Sequence, residues 1–486
     1  MRFKKIVLSA ICVLSMIIGT PAIGQNYTTS ARHAFKYIEN SDTAITRCYK
    51  DTILVTCTNQ KINDIVFTTS FIIRNESSST AKTLWISRFY NEYGRISFNI
   101  TDMHILNGIC YFCGTQTTPI GYGEEYNSLT VNTSVGFVGH FSIDDVLSET
   151  GNYYLETFNE VSSFSKMAVT DKVDSGDVGI MIIGTRNDEP SNTCLTCLVQ
   201  PHGSNQWKYY VTDSDIDDEV FTDVIVTDDL WVTASLFENN KKLIGFRSTK
   251  IGNTGFYRET FYNTPADLFQ FDITTHLRID RCTDSPLLLC PMYDDHFSAG
   301  FSGYPIADPN LYRLFDNTYI IHMDYPNHMS QLHTFNSPGK SMIKDLTYIP
   351  DIQSTVVLYQ SRISVFDTTR QNYLIRTNWN NSEEYCDTVM YLDYGKLLSL
   401  DFSRSDILAM GAIWDQYHPS DVLQRVTRRQ NSCLNLNGCH TIFPTNTTSS
   451  IFKESQFICI HSIREKNWKA KEFNAIFNSA APYCIH

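Results

Sequence analysis

Two stretches of this chain, DMHILNGICYFCGT (Asp102–Thr115) and DVIVTDDLWVTASL (Asp223–Leu236), follow one template. Each has an aspartate, a short alternating apolar run, a two-residue polar turn and a more continuous apolar run. Asp102, Met103, Ile105, Asn107-Gly108, Ile109 and Cys113-Gly114 match Asp223, Val224, Val226, Asp228-Asp229, Leu230 and Ala234-Ser235. Alternation with period 2, broken by a two-residue polar turn, is the signature of a β-hairpin. Looser copies begin at Asp171 (DKVDSGDVGIMIIGT), Asp272, Asp345 (DLTYIPDIQSTVVLY) and Asp387. A third strand also recurs, Gly139–Ile143 against Gly245–Thr249, with a poorer match at Ser364–Thr369.

The intervals between opening aspartates are 69, 52, 49, 73 and 42 residues, a mean of 57. A unit of three or four short antiparallel strands at such a period predicts a radial array of sheets, because one small sheet cannot cover both of its own faces. The fold expected is all-β, a single β-propeller of about seven blades (six to eight), with an irregular β-sandwich or a two-domain β protein as the alternative. In its D-h-x-h hairpins and its FCGT and IIGT strand ends, the chain resembles secreted bacterial β-propeller proteins of unassigned function. Its repeat is kelch- or WD-like, without the WD dipeptide, the regular kelch glycine pair or the sialidase aspartate box. Lys466–Phe477 (KNWKAKEFNAIF) is the one stretch read as a short helix.

The first 24 residues read as a secretory signal. Arg2, Lys4 and Lys5 precede an apolar run from Ile6 to Ile18, and Ala22-Ile23-Gly24 offers small residues for cleavage before Gln25. The organisation expected is a signal peptide over 1–24, a linker over 25–44, the propeller over 45–465 and a C-terminal segment over 466–486, a short helix with a closing strand. Export places the chain in the periplasm, on the cell surface or in the medium, and no later segment is apolar enough to span a membrane. Cleavage removes three of 39 Lys and Arg and none of 52 Asp and Glu, so 36 minus 52 gives −16. Such an acidic chain repels a phosphate backbone and excludes nucleic acid as a partner.

Of 14 cysteines, Cys12 falls within the signal, leaving 13. Cys282 with Cys290, and Cys433 with Cys439, are spaced to close short disulfide loops in an oxidising compartment. Cys110 and Cys113, three apart on a strand, should point to opposite faces and so make no zinc pair.

Two constellations could carry chemistry. Asp213, Asp215 and Asp217 alternate in the densest acidic stretch and could offer oxygens to calcium, the one cofactor contemplated, although a solvated loop is the plainer reading. His322, Asp324 and His328, with His333 downstream, could ligate a metal or act as base and orienter. HExxH, G-x-S-x-G, the P-loop and G-x-G-x-x-G are all absent. The expected function is accordingly a monomeric, non-catalytic binding or scaffold protein. It would recognise a glycan, peptide or envelope partner through the loops at 116–135, 186–206 and 291–340, with Tyr122, Tyr126 and Tyr325 as aromatic contacts. The alternative is a carboxylate-based hydrolase, resembling a glycoside hydrolase, with its site at the propeller channel.

Overall fold

The computed structural model describes the strands and helix named below and turn residues at 50, 52, 78, 107–108, 148–150, 159–160, 171–172, 227, 292–294, 296, 350 and 353. After Ser30–His33 (β1) comes a first sheet of Ala44–Tyr49, Ile53–Lys61, Phe67–Asn75 and Thr80–Ile86 (β2–β5). The second holds Arg88–Tyr90, Gly94–Leu106, Ile109–Thr118, Thr133–Ser142 and Tyr153–Phe158 (β6–β10), with a helix Ile143–Leu147 (α1) before its last strand. Val161–Thr170, Val178–Arg186, Thr193–Gln200 and Gln206–Asp213 (β11–β14) make the third. Glu219–Val226, Trp231–Glu238, Leu243–Lys250 and Arg258–Asn263 (β15–β18) make the fourth. The fifth comprises Ile279–Arg281, Leu288–Pro291, Phe297–Pro305, Asn317–Asp324 and His328–Asn336 (β19–β23). Ser341–Ile349, Ser354–Arg362, Arg370–Asn378 and Thr388–Leu392 (β24–β27) form the sixth, and Lys396–Ser403, Asp406–Ile413 and Ser420–Val426 (β28–β30) the seventh. Thr448–Ile451, Lys471–Ile476 and Asn478–Ser479 (β31–β33) complete the described strands.

The chain is therefore all-β, a set of small antiparallel sheets. Both ends of the sequence add strands to sheets built from its middle. β1 pairs with β30, so part of the expected linker is the outer strand of the seventh sheet. β31, β32 and β33 extend the fifth, third and second sheets. The stretch read as a helix is thus a strand over Lys471–Ile476, where pairing with β14 outweighs its local period. Among the described residues, no helix is long and apolar enough to cross a membrane.

Packing follows the alternation of side chains across each strand. In β8, Cys110 and Phe112 face the first sheet, among Val55, Phe71 and Ile73. Tyr111 and Cys113 face the third, among Phe164, Ile180 and Ile182. The expected separation of the two cysteines is what the strand gives, and both are free, buried thiols. Phe71 lies with its ring centroid 4.8 Å from Phe112 and 4.9 Å from Phe141, which locks the first two sheets together. The turn between β7 and β8 is carried by Asn107 (φ 51°) and Gly108 (φ 82°), as a two-residue hairpin of this hand requires.

The FCGT and IIGT echo has a steric origin. Gly114 sits opposite Ile100 and Gly184 opposite Phe164, each beside a bulge in the neighbouring strand. A Cβ at Gly114 would strike the Asn99 carbonyl, and one at Gly184 would stand 2.8 Å from the Ser163 oxygen. Glycine is kept where the bulged backbone approaches most closely.

Candidate functional site

One strand from each sheet meets one strand from the next, in order. β2 contacts β7, β7 contacts β11, β11 contacts β15, β15 contacts β20, β20 contacts β24, β24 contacts β28 and β28 contacts β2. Between them lies a cavity of about 290 Å³, near the lower end of the roughly 300–1,000 Å³ that ligand pockets occupy. Its charged lining is Arg47 from β2, Asp102 and His104 from β7, Lys166 from β11, Asp223 from β15, Asp345 from β24 and Asp401 from β28.

A bulge places most of these groups. The register slips by one residue between Ile100 and Asp102, Phe164 and Lys166, Phe221 and Asp223, and Ile343 and Asp345. A bulge re-aims the side chain that follows it. Asn59 of the first sheet takes over both backbone groups the first of these bulges releases. Its Nδ2 donates to the Ile100 oxygen at 2.6 Å, and its Oδ1 accepts from Ile100 N at 3.1 Å. The third sheet carries Lys166 at this position, and Asp171, where the sequence placed the repeat, lies five residues later in the following turn, accepting from Asn107 Nδ2 at 2.7 Å. That placement is corrected: the repeat is registered by its bulge, not by its nearest aspartate. The copies at Asp272 and Asp387 open outside the described residues.

Each aspartate also ties neighbouring backbone. Asp102 Oδ1 accepts from Met103 N at 2.9 Å, and its Oδ2 accepts from Met167 N of the next sheet at 3.0 Å. Asp223 repeats the arrangement with Val224 N at 2.9 Å and Leu289 N at 2.7 Å. Asp345 accepts from Leu346 N at 2.9 Å, and Asp401 from Cys48 N at 2.5 Å. Arg47 spans the cavity, with Nη2 3.6 Å from Asp102 and Nη1 3.7 Å from Asp345. Its Nε donates to the Met103 oxygen at 3.1 Å.

Their environments separate the protonation of these groups. For Asp102, burial works to raise the pKa, but Lys166, His104, Arg47 and the Met167 N–H together hold it below the ordinary carboxyl value. For Asp223, burial prevails over Lys166 and the two N–H groups, and the pKa rises to about 7. Burial works against the charges of Lys166 and Arg47, yet the surrounding aspartates outweigh it and raise both. His104 lies 3.8 Å from Asp102, with 39% of its side chain exposed, into the cavity. Enclosure first, then Arg47 and Lys166, push it down to about 4 against the pull of Asp102. It is neutral at pH 7.

Of the residues singled out from sequence, Cys290 is part of this lining and His322 is not. Asp213 ends β14, while Asp215 and Asp217 are outside the described residues. His322 is wholly buried in the fifth sheet, its Nδ1 2.7 Å from Ser298 Oγ, which in turn is 2.8 Å from Thr355 Oγ1. His328 faces Asp324 in register, not His322, whose partner is Gln331. His322 thus makes a buried polar contact between the fifth and sixth sheets, while the side chains of Asp324 and His328 lie outside the described residues. Among the described residues, no three or more His, Cys, Asp or Glu are grouped to hold a metal ion. Cys290 is a free thiol in the cavity wall, donating to the Pro291 oxygen at 3.4 Å, so the Cys282–Cys290 disulfide is corrected too. Cys282, Cys433, Cys439, Tyr122, Tyr126 and Tyr325 lie outside the described residues.

No protein-family model and no curated protein matches the chain. Among solved structures it is similar to one titled "Crystal structure of polysaccharide lyase Uly1", with 7% sequence identity and a TM-score of 0.43, over 84% of this chain and 94% of that one. A likeness at that level transfers neither substrate nor mechanism. That title names an enzyme, against the expectation of a non-catalytic chain, which has nothing in its favour there. That expectation rested on the absence of linear motifs, and such motifs cannot register a site that draws one or two residues from each of six sheets.

Proposed function

We propose that the seven sheets are the blades of a β-propeller and that the cavity is the active site of an exported glycan-cleaving enzyme. Its acid and base would be carboxylates in the central channel. One observation carries the reading: two aspartates on the same cavity are pushed apart in protonation, Asp223 up to about 7 and Asp102 below its ordinary value. Hydrolysis of a glycosidic bond by paired carboxylates uses this division, one carboxyl to protonate the leaving oxygen and one carboxylate to activate water or attack the sugar.

Asp223 is the proton donor. Each of its oxygens accepts one backbone N–H, and burial keeps its proton on at a pH where Asp102 has lost its own. Asp102 is the ionised partner, and Lys166 and Arg47 keep it so at neutral pH. Arg47, bonded to the Met103 oxygen, holds the Asp102 side of the cavity in place.

The test is a panel of neutral, amino and acidic polysaccharides offered to the mature chain, with release of reducing ends as the readout. Asp223→Asn is expected to lower kcat by about 100- to 10,000-fold, the usual contribution of a positioned general acid. A folded Asp223→Asn chain with unchanged kcat would remove Asp223 from the chemistry.

A further inference from the structure

We infer that the ligand of this cavity is a saccharide bearing a protonated amine, and that saccharides carrying carboxylate or sulfate are rejected. The inference rests on reading the cavity as the active site. It follows from the signs and the fixation of the lining groups.

Among the described residues, four carboxylates, Asp102, Asp223, Asp345 and Asp401, line the cavity with two cations, Arg47 and Lys166. Four minus two gives this described lining a charge of −2, or −1 while Asp223 keeps its proton. The carboxylates cannot swing away from an incoming anion. Backbone N–H groups of Met103 and Met167 hold Asp102, those of Val224 and Leu289 hold Asp223, Leu346 holds Asp345 and Cys48 holds Asp401. Arg47, the group best suited to a ligand carboxylate or sulfate, is already shared between Asp102 and Asp345. An anion entering beside Arg47 would have to displace one of these aspartates, and one drawn to Lys166 would still stand in a cavity that four carboxylates share.

An ammonium group meets the reverse situation. Its hydration is replaced by oxygens that are oriented before it arrives, so little reorganisation opposes binding. The volume of about 290 Å³ suits one sugar unit inside the cavity, with any further units outside it. Electrostatic complementarity of this kind sets selectivity between ligands more than absolute affinity.

Titration calorimetry on the mature chain would compare glucosamine, N-acetylglucosamine and galacturonic acid oligomers of equal length at two salt concentrations. The glucosamine oligomer is expected to bind about tenfold or more tightly than its acetylated counterpart, because one charge-assisted contact separates them. That preference should shrink as salt rises. Asp345→Asn, checked for native circular dichroism, should weaken glucosamine binding by about tenfold and narrow its preference over the acetylated oligomer. The first comparison uses the unaltered chain, so it stands even where a substitution disturbs folding. Equal or tighter binding of the uronic oligomer, or no binding of any of the three, would overturn the inference. Turnover is scored separately: glucosamine binding without cleavage would sink the enzymatic reading alone, and cleavage of the uronic oligomer would sink the charge selection alone.

Discussion

Asp102→Ala is expected to lower the stability of the chain by about 3–5 kcal/mol, the usual cost of removing one partner from a buried charged network. The side chain of Asp102 is 4% exposed, and its two oxygens serve Met103 N, Met167 N, Arg47 and His104. Alanine would leave two buried N–H groups without their acceptor and Arg47 with one carboxylate fewer. Asp102→Asn should cost less, since the amide oxygen can still accept one N–H. Lys50 and Asp144 give the contrast. They are 3.1 Å apart but 58% and 59% exposed, and Lys50→Ala should leave the unfolding midpoint where it was. Urea unfolding followed by fluorescence checks both. Equal midpoints for Asp102→Ala and the parent chain would show that the carboxylate ties nothing together.

Asp223 should also make stability depend on pH in a direction opposite to that of most buried aspartates. The pKa of Asp223 rises from 3.8 to about 7 on folding, so the folded state holds its proton more tightly than the unfolded state does. Its contribution is complete below about pH 4 and is lost as pH climbs to about 7. Three pH units at 1.36 kcal/mol each set an upper bound of about 4 kcal/mol on that loss. Asp102 works the other way. Its lowered pKa contributes stability above pH 4 that disappears as pH falls through its folded value. Between about pH 4 and 7 Asp223 alone weakens the chain on alkalinisation, while His104 and His140, both pushed down to about 4 by burial, strengthen it over the same window. The Asp223 share is therefore read as a difference: Asp223→Asn should make stability rise more steeply with pH than in the parent chain. Thermal midpoints measured across this window, parent against variant, decide it, and identical slopes would remove Asp223 as a late-titrating group.

The hairpin pattern was legible because its aspartate has a structural task that recurs with it. Asp102, Asp223 and Asp345 each follow a bulge and tie backbone, so their spacing tracks the sheets. The site itself was not legible. Its members lie tens of residues apart, and the position that defines it tolerates a change of sign, aspartate in three sheets and Lys166 in the third sheet. Read afterwards, Ile100-Thr101-Asp102-Met103, Phe164-Ser165-Lys166-Met167, Phe221-Thr222-Asp223-Val224 and Ile343-Lys344-Asp345-Leu346 share one form: apolar, polar, charged, apolar. Aligning on a charge of either sign would have found it, whereas aligning on aspartate led to Asp171. Asp213, Asp215 and Asp217 are dense in the sequence, and His322 with Asp324 share a strand period, but neither feature says which way a strand faces its neighbours. His322 faces inward, onto Ser298.

The central claim is that two aspartates lining one cavity titrate apart, Asp223 near 7 and Asp102 below its ordinary value. Infrared titration of the protonated-carboxyl band of the mature chain tests it without any substrate. The account predicts a band that persists well above pH 4, disappears with a midpoint near 7 and is missing from Asp223→Asn. A chain whose carboxyl band is gone by about pH 5, or whose late-titrating band is unchanged in Asp223→Asn, would contradict it.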